Sequence, residues 1–277
     1  MNKFYIQIVF FLLSVSVYLN DRALATEPVP EENTTLESKK HYPTSEEVYE
    51  KNKHLLCTNP EEIKNAIKLM NEAVTHLVYH ATNNDGYKLC NKHHDDSNYT
   101  FYGKKHDDNT YILKAYLING DPDKYNKVVN KFWNPDCIYF ADRISVTKKV
   151  VRVYNPNLMM IQQRYKKKSN DRQKYFYALA KKTQISENKT VIVMTSVNIN
   201  DHNPSNKEYK NTIIESANLF EASVIPDDDI KNGELEKTFV SISGYLIEKK
   251  DEYVYITFIE SNNNMKCKCL IGRYLAY

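Results

Sequence analysis

Three observations predict an α+β fold. One long amphipathic helix pattern near the start is followed by a short helix. A series of period-two segments rich in Val, Ile, Tyr and Thr then runs to the end. Strands that follow one another without intervening helices pair antiparallel, so a βαβ dinucleotide-type sheet is not expected. The 277 residues carry a net charge of +3 with 42 % hydrophobic residues. That balance excludes a wholly disordered chain and gives no global case for nucleic-acid binding. Tyr is frequent at 22 and Gly scarce at 6, a skew that runs through all segments and reads as codon bias, not chemistry.

Residues 1–25 read as a signal peptide. Lys3 supplies a basic start, Phe4 to Leu19 is apolar apart from Gln7 and a few hydroxyls, and Ala23-Leu24-Ala25 fits the small-x-small cleavage rule. The run is shorter than the ~20 residues of a spanning helix. Residues 26–53 contain Pro28, Pro30, Pro43 and many charges without apolar periodicity, so they are expected to be a disordered polar linker. The domain then covers 54–277.

Its first element opens at Asn59, with Pro60 at the first helical position and Glu62 set to complete a capping box. Ile63, Ala66, Ile67, Met70, Val74, Leu77 and Ala81 recur at helical spacing and predict one apolar face. A polar stretch, 82–109, separates this helix from a strand at Tyr111 to Ile118. Asp121-Pro122 opens a short helix carrying Tyr125, Val128, Val129 and Phe132, which Asn134-Pro135 stops. Strands are predicted at 145–154, 158–165, 174–181, 190–198, 238–247 and 252–260. The turn Asn155-Pro156-Asn157 makes a hairpin of the first two. An insertion at about 201–237, partly amphipathic and partly acidic, interrupts the series.

Candidate chemistry is sparse. Glu72, His76 and His80 share a helix face, but without metalloprotease spacing they read as a solvated face. The spacing of His93-His94-Asp95-Asp96 matches no ordered site, and Cys267-x-Cys269 lacks a second pair, so no metal and no cofactor is expected. No nucleophile elbow, P-loop or dinucleotide fingerprint appears, and no enzyme is predicted. Five cysteines, Cys57, Cys90, Cys137, Cys267 and Cys269, leave at least one thiol unpaired. Three Asn-x-Thr sequons begin at Asn33, Asn98 and Asn188.

The strands carry the stronger signal. Arg152 and Arg164 sit in runs that otherwise read as half-buried strand; each either lies on the solvated face or at a strand end, or is a buried cation, which needs an anion. Alternation puts Arg152 on one face with Val150 and Tyr154, and Arg164 with Met160 and Gln162. A lipid phosphate is one candidate anion, with Arg164 the favoured partner. Tyr154, Tyr175 and Tyr177 could line the same cavity with Met160, Met194 and Trp133.

The segments HYPTSEEVYEKNKHLLCTNPEEIKNAIKLMNEAVTHL, VVRVYNPNLMMIQQRYKKK, RQKYFYALAKK and TVIVMTSVNINDHNPS resemble the fam-a proteins of rodent malaria parasites, over nearly the whole chain. Those proteins carry a START-type lipid-transfer domain. Its wider pattern is similar to Phe132-Trp133-Asn134, Arg172-Gln173-Lys174-Tyr175, Val191 to Val197 and Gly244-Tyr245-Leu246-Ile247. The resemblance implies a helix-grip fold, an antiparallel sheet curled around a long helix with a lipid tunnel between them. It further implies a non-enzymatic protein that binds phosphatidylcholine, moves it between membranes and is exported towards the host erythrocyte or its parasitophorous vacuole. An exported surface antigen that keeps the fold without lipid is the alternative. Arg22-Ala23-Leu24 begins like the parasite export signal Arg-x-Leu-x-Glu, but Thr26 stands in the acidic position. Two further departures stand out. Asn130 and Asn134 occupy places where phosphatidylcholine binders have Arg and Asp, and residues 261–277 lack the amphipathic pattern of the family's closing helix.

Overall fold

The computed structural model describes residues 41–92, 100–136, 139–141, 144–166, 171–203 and 209–262. Residues 1–25, read above as a signal peptide, most of the expected linker and the segment after 262 lie outside them.

Helix α1, Ser45–Lys51, occupies the end of the segment expected to be disordered. Thr44 and Glu47 form a reciprocal capping box, Thr44 N donating to the Glu47 carboxylate at 2.7 Å. Val48 is buried in the core. The high Glu and Lys content hid a helix that docks through Val48, with Tyr49 packed beside it. Helix α2, Pro60–Thr82, follows with Asn59 Oδ1 accepting from the amides of Glu61 and Glu62. Glu62 does not complete the expected reciprocal box, because its carboxylate is engaged across the sheet (below). The buried face is Ala66, Leu69, Met70, Ala73, Leu77, His80 and Ala81. It is rotated from the predicted face, and Ile67 is left 37 % exposed.

Strands β1 (Lys88–Lys92) and β2 (Thr100–Lys105) arise within the stretch read as polar loop. β3 is Tyr111–Asn119, and α3, Tyr125–Trp133, follows a 3-10 turn at Pro122–Lys124. Next come β4 (Tyr139–Ala141), β5 (Ile144–Asn155), β6 (Leu158–Lys166), β7 (Lys174–Ser186), β8 (Lys189–Thr195) and β9 (Asn198–Asn200). After a 3-10 turn at Glu215–Leu219 the chain forms β10 (Glu221–Ser223), the one-turn helix α4 (Asp228–Lys231) and β11 (Glu236–Lys237). β12 (Val240–Lys249) and β13 (Val254–Asn262) close the described chain.

The main sheet runs β1-β2-β3-β13-β12-β8-β7-β6-β5-β4, antiparallel throughout, with β11 added parallel to β7. This is the predicted α+β architecture, a long helix laid on one antiparallel sheet. Both faces of that sheet are buried. On the first face, α2 meets Ile112, Met160, Tyr175, Leu179, Val191, Val193, Leu246 and Ile259. The insertion joins the same layer through Ile213, Ile214, Ala217, Phe220 and Ile230. On the second face, α1 and α3 meet Phe101, Leu113, Met159, Ile161, Ala178, Ile192, Tyr245, Ile256 and Phe258. Alternating residues of one strand thus serve two cores, which accounts for the near-continuous apolar runs.

α2 sits very close to its face. A Cβ on Gly244 would come 2.8 Å from Leu77 Cδ1 and 2.1 Å from the Ile192 carbonyl oxygen. The resemblance implied a tunnel between sheet and long helix, yet at Gly244 that space is filled.

Candidate functional site

The hairpin β5–β6 pairs antiparallel as expected, with Arg152 opposite Met160 and Arg164 opposite Thr147. A register shift between Val150 and Arg152 breaks the alternation that the sequence implied. Val150 therefore belongs to the second-face core, whereas Val151 and Tyr154 belong with α2.

Six of the eight candidate lipid contacts lie on the face that α2 covers. Arg152 Nη1 meets Glu62 Oε1 at 2.6 Å, and its Nη2 donates to the Ser223 carbonyl at 2.7 Å. Tyr154 donates to the same Glu62 oxygen at 2.7 Å. Burial and that bond hold its phenol well above the usual range. Arg164 is held by Asp229 at 2.6 Å and Asp227 at 2.6 Å, with Nε on Gln162 at 2.9 Å. Its favoured orientation beside Met160 and Gln162 is correct, but the anion is the protein's own, brought by the insertion. Tyr175 donates to Asp201 at 2.8 Å, and Tyr177 accepts from Gln162 at 2.9 Å, with burial pushing its phenol up to about 12. Met160 is fully buried in the same core. Each of the two cations, and each of these three phenols, already has a protein partner, so a lipid phosphate is not needed to neutralise either arginine. The partners Glu62, Asp201, Asp227 and Asp229 sit 26 to 92 residues away in the chain. No local sequence signal announces them.

The remaining two candidates, Trp133 and Met194, lie on the second face. Register builds a row there. Phe258 of β13 opposes Tyr245 of β12, Tyr245 opposes Ile192 of β8, and Ile192 opposes Lys182 of β7. Phe132 of α3 packs tilted against Tyr245 with ring centroids 4.3 Å apart, and Tyr245 meets Phe258 at 5.1 Å. At the other end of α3, Tyr125 and the Thr190 hydroxyl share a hydrogen bond of 2.8 Å. The indole N–H of Trp133 is buried with no acceptor among the described residues. An orphaned buried donor of this kind costs on the order of 1–3 kcal/mol unless something outside the protein accepts from it. The apolar lining of this face extends from Phe101 on β2 to Val153 on β5. α3 is about 13 Å long at 1.5 Å per residue, and eight strands at ~4.8 Å spacing are far wider.

Elsewhere, His80 is buried and bonded to Tyr87 at 3.1 Å, not on a solvated face. Burial lowers its pKa to about 4. Lys114, also buried, donates to the Asn83 carbonyl at 2.6 Å and so caps the end of α2, burial lowering its pKa to about 8. No metal-ligating cluster occurs among the described residues. Cys57 is a buried free thiol, and the side chains of the other four cysteines lie outside the described residues.

No protein-family model matches the sequence, and neither does any curated protein. Among solved structures, the chain is similar to human StAR-related lipid transfer protein 5, with 9 % identity over 73 % of this chain and 84 % of that one, TM-score 0.48. It is similar to human STARD10 at 10 % identity over 72 % of this chain and 70 % of that one, TM-score 0.46. The lipid transfer and protein localization domain of human StarD13 gives 15 %, 69 % and 80 %, with TM-score 0.41. At these identities and scores the likeness concerns the path of the chain and assigns no residue a role.

Proposed function

We propose that this chain is a non-enzymatic lipid-binding and transfer protein whose ligand lies on the second face of the sheet, opposite α2. The observation that carries the reading is that face itself. Its buried apolar lining spans eight strands and is met, among the described residues, by the short helices α1 and α3 and by Leu55 of the 3-10 turn Lys53–Leu55. Apolar surface of that breadth favours a ligand with long acyl chains. Trp133, with its unpartnered buried N–H, and Met194 are the candidate contacts that belong to this site. The resemblance to fam-a proteins supports phosphatidylcholine as the lipid, and the N-terminal leader supports secretion. Transfer would involve transient contact with membrane surfaces and no nucleic acid.

Transfer of a fluorescent phosphatidylcholine from donor to acceptor vesicles by the purified mature chain tests the reading. Acceleration above the protein-free rate is expected. No acceleration, and no lipid bound, would favour a surface protein that keeps the fold without cargo.

A further inference from the structure

On the second face, the row Phe258–Tyr245–Ile192 ends in a charge. Lys182 lies opposite Ile192, two residues beyond Ala180 and four beyond Ala178, both in that apolar core. It is half-buried, and its ammonium has no hydrogen bond or ion pair among the described residues. Its neighbour Lys181 points to the other face and donates to Asn71 of α2. Both half-buried arginines of β5 and β6 have carboxylate partners, whereas the Lys182 ammonium, at the end of an apolar row, has none among the described residues. The single charge bearing on Lys182 from elements packed around it is Glu46 of α1, itself exposed. Burial lowers its pKa from the ordinary lysine value, the direction that a bound anion would reverse.

We propose that Lys182 binds the acidic group of the lipid carried on this face, either a phosphodiester or a carboxylate. The inference rests on the lipid-binding reading above and adds to it the polar end of the site. Phe132, Tyr245 and Ile192 would flank the acyl portion, while Lys182, at the margin beside α1, holds the charge. The compact, solvated ammonium suits a single anionic oxygen group at such a margin.

The test compares the full mature chain with Lys182→Met, Lys182→Arg and Lys181→Met. Two probes are used, phosphatidylcholine vesicles for the phosphodiester and oleate for the carboxylate. Lys182→Met is expected to weaken binding of one probe about tenfold, the scale of one charge-assisted hydrogen bond. The probe affected identifies the acidic group. Lys182→Arg, which keeps the charge, and Lys181→Met are expected to bind within about twofold of the parent. Binding of both probes unchanged in Lys182→Met overturns the role of Lys182 and leaves the lipid-binding reading standing. Equal loss in Lys182→Arg also overturns it, because the charge would then not be what is read. A parent chain that binds neither probe overturns the lipid-binding reading and this inference together. Lys182→Gln replaces the Met variant if that chain does not fold.

Discussion

Substituting Gly244 by Ala tests how closely the long helix is seated on the sheet. The added methyl would stand 2.1 Å from the Ile192 carbonyl oxygen and 2.8 Å from both Val193 Cα and Leu77 Cδ1. The leucine tip can swing, but the other two atoms belong to the backbone of β8, which is hydrogen-bonded on both sides. Relief therefore requires β8 and β12 to move apart. Overpacking of this kind costs about 1–3 kcal/mol, and the unyielding neighbours place this case near 3. Against a typical total of about 5–15 kcal/mol that is a large fraction. Urea unfolding followed by circular dichroism is expected to show the midpoint falling by roughly 1 M, for a slope near 3 kcal/mol per M. Gly120→Ala is the control, since a Cβ there meets nothing within 4 Å, and it should stay within about 0.5 kcal/mol. Leu77→Ala should not rescue Gly244→Ala, because it removes the least important clash. Stability of Gly244→Ala equal to that of the Gly120 variant would refute the close seating of α2 and reopen the space between helix and sheet as a ligand site.

Other outcomes follow from the same geometry. Arg164→Met is expected to lower stability by about 1–2 kcal/mol, because Asp229 loses this cation and Asp227 is left with Lys149, yet to leave phosphatidylcholine transfer unchanged. Loss of transfer with the fold intact would instead make Arg164 the headgroup ligand that the sequence suggested. Glu62→Gln weakens two bonds at once, to Arg152 and Tyr154, and should cost about 1–3 kcal/mol in thermal or urea unfolding. Val48→Ala in α1 should cost about 2 kcal/mol, from the two methyl groups removed from the core, whereas an unstructured 26–53 predicts no effect. His80, buried and held neutral, has a folded pKa of about 4 against 6.5. Between those values the unfolded chain binds more protons, so stability is full above pH 6.5 and falls as the pH drops towards 4, by roughly 3 kcal/mol at most. Urea titrations at pH 7 and pH 4.5 should show a smaller difference in His80→Gln than in the parent.

The fold was legible where physics is local. Asn59-Pro60 and the apolar spacing marked α2 to within a residue, and Val, Ile and Tyr runs marked β5 to β8, β12 and β13 closely. Asn155-Pro156-Asn157 fixed one hairpin. What escaped depended on distant partners. α1 was masked by its glutamates and lysines, although Thr44 and Glu47 carried a readable capping box. β1 and β2 are short strands of mixed polarity, and their order comes from pairing, the edge strand β1 with β2 and β2 with β3. The faces of β5 could not be read by alternation, because the register shift at Val150–Arg152 turns the strand over. Two buried sheet faces removed the polar-outside pattern that usually tells inside from outside. Arg152 and Arg164 are half-buried, between the solvated-face and buried-cation readings that their runs allow, and the carboxylates that answer them come from α2 and from the insertion. Lys182, written as one of a pair of ordinary lysines, stands out only once Ile192 is placed beside it.

Whether the second face carries a lipid decides the proposed function. Native mass spectrometry of the purified mature chain, followed by fragmentation of any bound species, measures this directly. The account predicts a mass added by one bound lipid, released on denaturation, and reduced in occupancy by Trp133→Ala while Tyr175→Phe on the α2 face leaves it unchanged. A parent chain that flies only at its bare mass, from preparations in which phosphatidylcholine is abundant, would contradict it.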